Sequence, residues 1–218
     1  MDINETEEQQ VEALKKWWKD NGSSIITGVL LGLALLFGGK SWFAYQERVA
    51  ENASNIYTTM MVALDNGEEG VVTEKAGTLI ADYSATPYAA LAALALAKLK
   101  LEQGELEAAH AQLQWALDNS GSEVIGEIVR LRLARVMLAE NNPDAAQALI
   151  EQVDAGTAYQ PLYLELRGDI EAARGNPASA RTEYAQALAG MQPGFPGRQL
   201  VELKYEGMAA SGEAGESP

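Results

Sequence analysis

Three charged residues recur at one register of the chain. Lys98, Arg135 and Asp169 each stand six positions ahead of a turn residue, Gly104, Asn141 and Gly175 respectively. Lys98 lies between Leu94 and Leu101, Arg135 between Leu131 and Leu138, and Asp169 between Glu165 and Ala172. Leucines three or four residues from a central charge share its helical face. Such a face can form one wall of a groove with an apolar floor and cations on it. Arginine grips a carboxylate with two parallel N–H donors and lysine holds it as a point charge. The chemistry on offer is recognition of an acidic or extended peptide, with Lys98, Leu101, Leu131, Arg135, Leu138 and Asp169 as the candidate residues. The same cations suit two plainer roles, pairing with acids of their own domain or simply solvating the face.

Catalytic chemistry has no comparable support. The chain holds no cysteine and one histidine, His110, so thiolate zinc sites, cysteine nucleophiles and multi-histidine metal sites are excluded. Neither a glycine-rich phosphate loop nor a G-x-S-x-G or H-E-x-x-H motif occurs. Glu68 and Glu69 read as carboxylates in a loop or on a solvated face, and His110 as a surface or groove-edge residue. The formal charge of −15, from 31 acidic and 16 basic residues, repels a phosphate backbone, so nucleic acid is not an expected partner. No enzyme activity, metal or cofactor is expected.

The elements that must carry the charged register are helices. From about residue 50 the chain is rich in Ala, Leu and Glu at helical spacing, and β-branched alternation is missing. Three helix-turn-helix units align on Gly104, Asn141 and Gly175, with spacings of 37 and 34 residues. Small residues recur with them: Ala97, Ala134 and Gly168 seven before the turn, Ala109, Ala146 and Ala180 five after it, and Ala116, Val153 and Ala187 twelve after it. A small side chain at a helix crossing lets the pair approach closely, and a larger one would overpack it. A helix-turn-helix period near 34 residues with this alternation is the tetratricopeptide signature, although its tryptophan and tyrosine positions are not matched. The expected fold is all-α, a tetratricopeptide-like solenoid over 46–208, with units at about 50–86, 88–120, 125–156 and 160–190. "RQLVELKYEGM" is a candidate capping helix. The stretch 209–218 is polar and small enough to be a disordered tail.

Ahead of this domain, residues 21–39 carry no charge. As a helix they span roughly 28 Å, close to a hydrocarbon thickness of about 30 Å. Trp17 and Trp18 on one side, and Trp42 and Tyr45 on the other, stand where interfacial aromatics belong. The flank "MDINETEEQQVEALKKWWKD" is too long and too acidic for a signal peptide. The expectation is a single membrane helix over 21–45. Residues 1–20 would precede it as an amphipathic segment, with Val11, Leu14, Trp17 and Trp18 as its stripe, lying at the lipid interface or docking a partner. Gly28 and Gly32 form a GxxxG pair that would allow close helix packing and homo-oligomers, although glycine is frequent in such helices anyway. Lys15, Lys16 and Lys19 against Lys40 and Arg48 point to a cytoplasmic N-terminus by a margin of three to two.

Four stretches in fixed order carry a resemblance: "EEQQVEALKKWWKDNG" (7–22) running into the apolar helix, "ADYSATPYAALAALALAKLKLEQGELEAA" (81–109), "LRLARVMLAE" (131–140) and "LELRGDIEAARGNPASARTEYAQAL" (164–188). Together they resemble the ancillary subunits of the SecYEG translocon, tetratricopeptide-like membrane proteins of Gram-negative bacteria. The resemblance covers nearly the whole chain except the Gly/Pro-rich C-terminal end. It implies an inner-membrane protein with a short cytoplasmic N-terminus and a periplasmic repeat domain. It also implies an adaptor beside the SecYEG translocon and a membrane-anchored periplasmic chaperone of the prolyl-isomerase type, assisting newly exported client proteins, with no catalytic residues. A second reading is an envelope signalling regulator that acts through its cytoplasmic N-terminal helix.

Overall fold

The computed structural model describes residues 7–151 and 156–213, with side chains described for 9–151 and 156–208. Nine α-helices and no strands occur among them: α1 (Glu7–Asp65), α2 (Glu69–Asp82), α3 (Pro87–Glu102), α4 (Leu106–Asn119), α5 (Glu123–Ala139), α6 (Pro143–Ile150), α7 (Gln160–Ala173), α8 (Pro177–Gly190) and α9 (Arg198–Glu213). The chain divides into two compact units, 1–52 and 53–218.

Among the described residues the first unit consists of the N-terminal part of α1. The boundaries expected at residues 20/21 and 45/46 fall inside this single helix of 59 residues. No proline interrupts it, and the weak Asn21-Gly22 step is covered locally. Asn21 Nδ2 donates to the Trp17 carbonyl at 3.0 Å, and the Trp18 indole lies over Gly22, 3.2 Å from where a Cβ would sit. The indole shields the backbone that a glycine would otherwise leave to water. Val29, Leu30, Leu31, Leu35, Leu36 and Phe37 are all exposed. This is the one helix among the described residues long and apolar enough to cross a membrane, and its apolar window is hardly buried. An exposed apolar surface of this length marks contact with lipid or with another protein.

The second unit begins with the end of α1, and its helices pair in order: α1/α2, α3/α4, α5/α6, α7/α8, with α9 against α8. Each pair is joined by the same turn. Gly67, Gly104, Asn141 and Gly175 adopt φ of +74°, +77°, +59° and +79°. In the α3/α4 turn the Gly104 N–H donates to the Leu101 carbonyl and the Glu105 N–H to that of Lys100; the same two bonds recur at the other three turns. This doubly bonded left-handed cap satisfies carbonyls that a helix end leaves unpaired. Proline opens α3, α6 and α8, where its missing N–H costs nothing.

The expected small residues sit at the crossings. Ala97, Ala109, Ala116, Ala134, Ala146, Ala180 and Ala187 are essentially inaccessible; Val153 lies outside the described residues. Leu113, Ile150 and Tyr184 fill the matching large positions and are also buried. α9 occupies the place of the candidate capping helix, with Val201 buried against Tyr184, Ala187 and Met191. It continues to Glu213, five residues into the stretch expected as a disordered tail, and 214–218 lie outside the described residues.

Candidate functional site

α3 and α5 run side by side and leave a groove between them of about 310 Å³. Leu94, Ala97, Leu113 and Val136 form its floor; Lys98, Leu101, Arg132, Arg135 and Ala139 stand around it. The two walls follow from helical periodicity. α3 presents Leu94, Ala97, Lys98 and Leu101, and α5 presents Arg132, Arg135, Val136 and Ala139, each at spacing i, i+3, i+4, i+7. Leu101 keeps 39% of its surface exposed beside the slot.

Of the six groove candidates read from the sequence, Lys98, Leu101 and Arg135 come together here. Leu131, Leu138 and Asp169 do not. Leu131 is buried in the interface with the next pair, beside Ile150, Tyr163, Leu166 and Ile170, and Leu138 packs against the same cluster. The wall of α5 that faces α3 is rotated by one residue from the expected one, because Leu131 and Ala134 are needed on the α7 side. That rotation brings in Arg132, which the repeat register had passed over. The signal was present as Arg-x-x-Arg-Val in "LRLARV", legible only once the rotation of α5 is known.

Asp169 belongs to a separate ionic cluster. It accepts from the Tyr184 hydroxyl at 2.8 Å and from Lys204 of α9 at 2.8 Å. Glu165, 6% exposed, accepts from Arg135 at 3.1 Å and from Lys204 at 2.8 Å. The capping helix therefore fills the third position of the register with its own cation. Burial first, and the neighbouring Asp169 second, push the Tyr184 phenol far above its usual range, so it stays protonated and donates.

The cations of the groove differ in their partners. Lys98 Nζ is 3.7 Å from Glu102 on the same helix, an exposed pair of a kind worth only a few tenths of a kcal/mol, about 0.3–0.5. Arg135 uses Nη2 on Glu165. No hydrogen bond or ion pair to Arg132 occurs among the described residues. His110 donates from Nδ1–H to the Glu140 carboxylate at 2.8 Å and ties α4 to the end of α5. Among the described residues no cluster of three metal-type ligands occurs. Around Gly28 and Gly32 a Cβ would meet nothing within 4 Å.

A family model described as a tetratricopeptide repeat-like domain matches residues 15–210. Among curated proteins, the chain is 33% identical over 184 residues to the ancillary SecYEG translocon subunit of Escherichia coli K12, covering 84% of this chain and 88% of that protein. It is 34% identical over 183 residues to the ancillary SecYEG translocon subunit of Haemophilus influenzae, covering 83% and 88%. With the protein of that name from Neisseria gonorrhoeae it shares 29% identity over 207 residues, 93% of this chain and 97% of the relative. No solved structure matches it.

Proposed function

Because the chain belongs to the family of ancillary SecYEG translocon subunits, with their tetratricopeptide repeat-like domain, we propose that it is a single-pass inner-membrane adaptor at the Sec translocon. Its repeat domain holds partner proteins on the periplasmic side, a membrane-anchored chaperone of the prolyl-isomerase type among them, and assists exported clients as they emerge. The observation that carries this reading is the match of most of the chain, at about a third identity, to proteins of that name. Two features are in keeping with it. The exposed apolar stretch of α1 supplies an anchor, and the groove between α3 and α5 supplies a surface for a partner. The role is one of binding and positioning.

Topology and partnership are tested together in cells. The chain lacks cysteine, so single thiols report cleanly. Ser179→Cys, exposed on α8, and Gln10→Cys, exposed at the start of α1, would each be treated in intact cells with a membrane-impermeant maleimide that passes outer-membrane pores. Labelling of Ser179→Cys alone is expected; labelling of Gln10→Cys alone would put the repeats in the cytosol and remove the periplasmic role. In parallel, SecYEG is expected to co-purify with the tagged protein from solubilised membranes. The double charge reversal Lys98→Glu, Arg135→Glu should lose the repeat-bound partner while the domain still melts cooperatively, with Lys98→Glu alone as the variant that leaves Glu165 paired. Undiminished partner recovery by the double variant would remove the groove from this role.

A further inference from the structure

The slot between α3 and α5 has a charge that its own chain leaves unmatched. In a protein with 31 acidic and 16 basic side chains, Lys98, Arg132 and Arg135 line it and no carboxylate does. Arg135 has Nε and Nη1 left after its bond to Glu165, and Lys98 holds its own glutamate only loosely. Arg132 is exposed, without an acidic partner among the described residues. Three cations around an apolar floor repel one another, and a ligand carboxylate would relieve that repulsion while the floor excludes water from the contact.

The space defines the ligand further. About 310 Å³ is at the small end of ligand sites, roughly 300–1,000 Å³. It cannot enclose a helix, about 10–12 Å across with its side chains, so what enters it is a single side chain of the ligand. In an extended segment side chains alternate, so one apolar side chain can point to the floor while its two neighbours point up toward the rim. The slot also ends abruptly. Beyond Arg135 the corresponding positions are acids, Glu165 and Asp169, already paired with Lys204, so the third repeat offers no free cation to a ligand carboxylate.

We propose that this slot takes a short, extended, acidic segment of a partner protein, with a leucine-sized side chain on Leu94, Ala97 and Val136 and carboxylates on Arg132 and on the Lys98/Arg135 side. This rests on the reading of the repeat domain as the partner-binding part of an adaptor. It goes further by fixing the chemistry of what is bound and by making Arg132 the cation free to decide it.

The test uses the purified full chain in detergent micelles and fluorescence anisotropy of a labelled peptide of alternating aspartate and leucine. Counterparts with asparagine or lysine in place of aspartate are the comparison. The aspartate peptide should bind at least about tenfold more tightly than the asparagine peptide, the equivalent of about 1.4 kcal/mol. Arg132→Gln should weaken it about five- to tenfold, as expected for loss of a charge-assisted bond. Added salt should weaken it too. Ala139→Trp, at an exposed rim position, should plug the slot without disturbing the core. Equal binding of the asparagine peptide, tighter binding of the lysine peptide, or an unaffected Arg132→Gln variant would overturn the proposal. Co-purification of SecYEG with the wild-type chain separates the two levels. If SecYEG is recovered and the peptide fails, only the ligand chemistry falls; if the peptide binds and SecYEG is not recovered, the adaptor role falls and the site stands.

Discussion

Gly168 lacks a side chain because Tyr184 occupies the space that a methyl would need: a Cβ there would lie 2.4 Å from Tyr184 Cε1. The same crossing pairs Ala97 with Leu113 and Ala134 with Ile150 in the preceding units, so the larger ring demands the smaller partner. Gly168→Ala should destabilise the domain by about 1–3 kcal/mol through overpacking. Tyr184→Leu should soften that cost, because Ala facing Leu is the combination the α3/α4 pair already uses. A double-mutant cycle in chemical denaturation reads the coupling, and additive effects would contradict the crossing geometry. The phenol brings a second expectation. Burial raises its pKa in the folded state, as it raises those of Tyr57 and Tyr163. The unfolded chain therefore ionises first, and stability that is complete below pH about 10 is lost as pH rises above it. Tyr184→Phe should flatten that alkaline fall in Tm above about pH 10; an unchanged slope would mean that the hydroxyl is ionised as readily folded as unfolded.

At the scale of elements, the turns were the most legible part of the sequence. Gly104, Asn141 and Gly175 mark them because a left-handed residue must follow each A helix, and only glycine or asparagine adopts it at low cost. Asn141 is the one non-glycine with positive φ among the described residues. Asn141→Gly should therefore leave stability unchanged or raise it by up to about 1 kcal/mol, while Gly104→Ala should lower it by about 1–2 kcal/mol. Thermal melts of the two variants check the pair, and a lowered Tm for Asn141→Gly or a raised one for Gly104→Ala would contradict the shared cap. Helix faces were less legible. Leu131 and Leu138 carry the pattern of a groove wall, but leucine serves a groove and a core equally, and the neighbouring pair at α7 claims them. Only the packing of α7 rotates Arg132 into the slot. Asn21-Gly22 is a pair that often ends a helix, yet α1 runs through it, with the Trp18 indole packed against Gly22. Asp169 reads as a groove residue until Lys204, 35 positions later, is seen to reach it; no local pattern announces a partner at that separation.

The repeat unit as a whole behaves as a chain of neighbours. Its four clusters follow one another along the sequence, each built from adjacent helix pairs, so stability should be close to a sum of pair and interface terms. α9 ends that series. It buries Val201 and supplies Lys204 to Glu165 and Asp169, and Arg198 donates to the carbonyls of Leu188 and Met191. Removing α9 would expose Tyr184 and Met191 and leave the nearly buried Glu165 with Arg135 alone. An acid stripped of one cation in a poorly solvated place is costly, on the order of a few kcal/mol. Truncation after Gln192 should therefore loosen α7 and α8 and leave α2 and α3 almost untouched, since among the described residues none of α9 reaches the first cluster. Hydrogen exchange followed by mass spectrometry reads this directly. Protection should fall steeply in α7 and α8 and decay toward α5, with Lys204→Met giving a weaker version of the same gradient. Uniform loss along the whole domain would show instead one cooperative core, and the view of the chain as a row of neighbouring pairs closed by α9 would have to be given up.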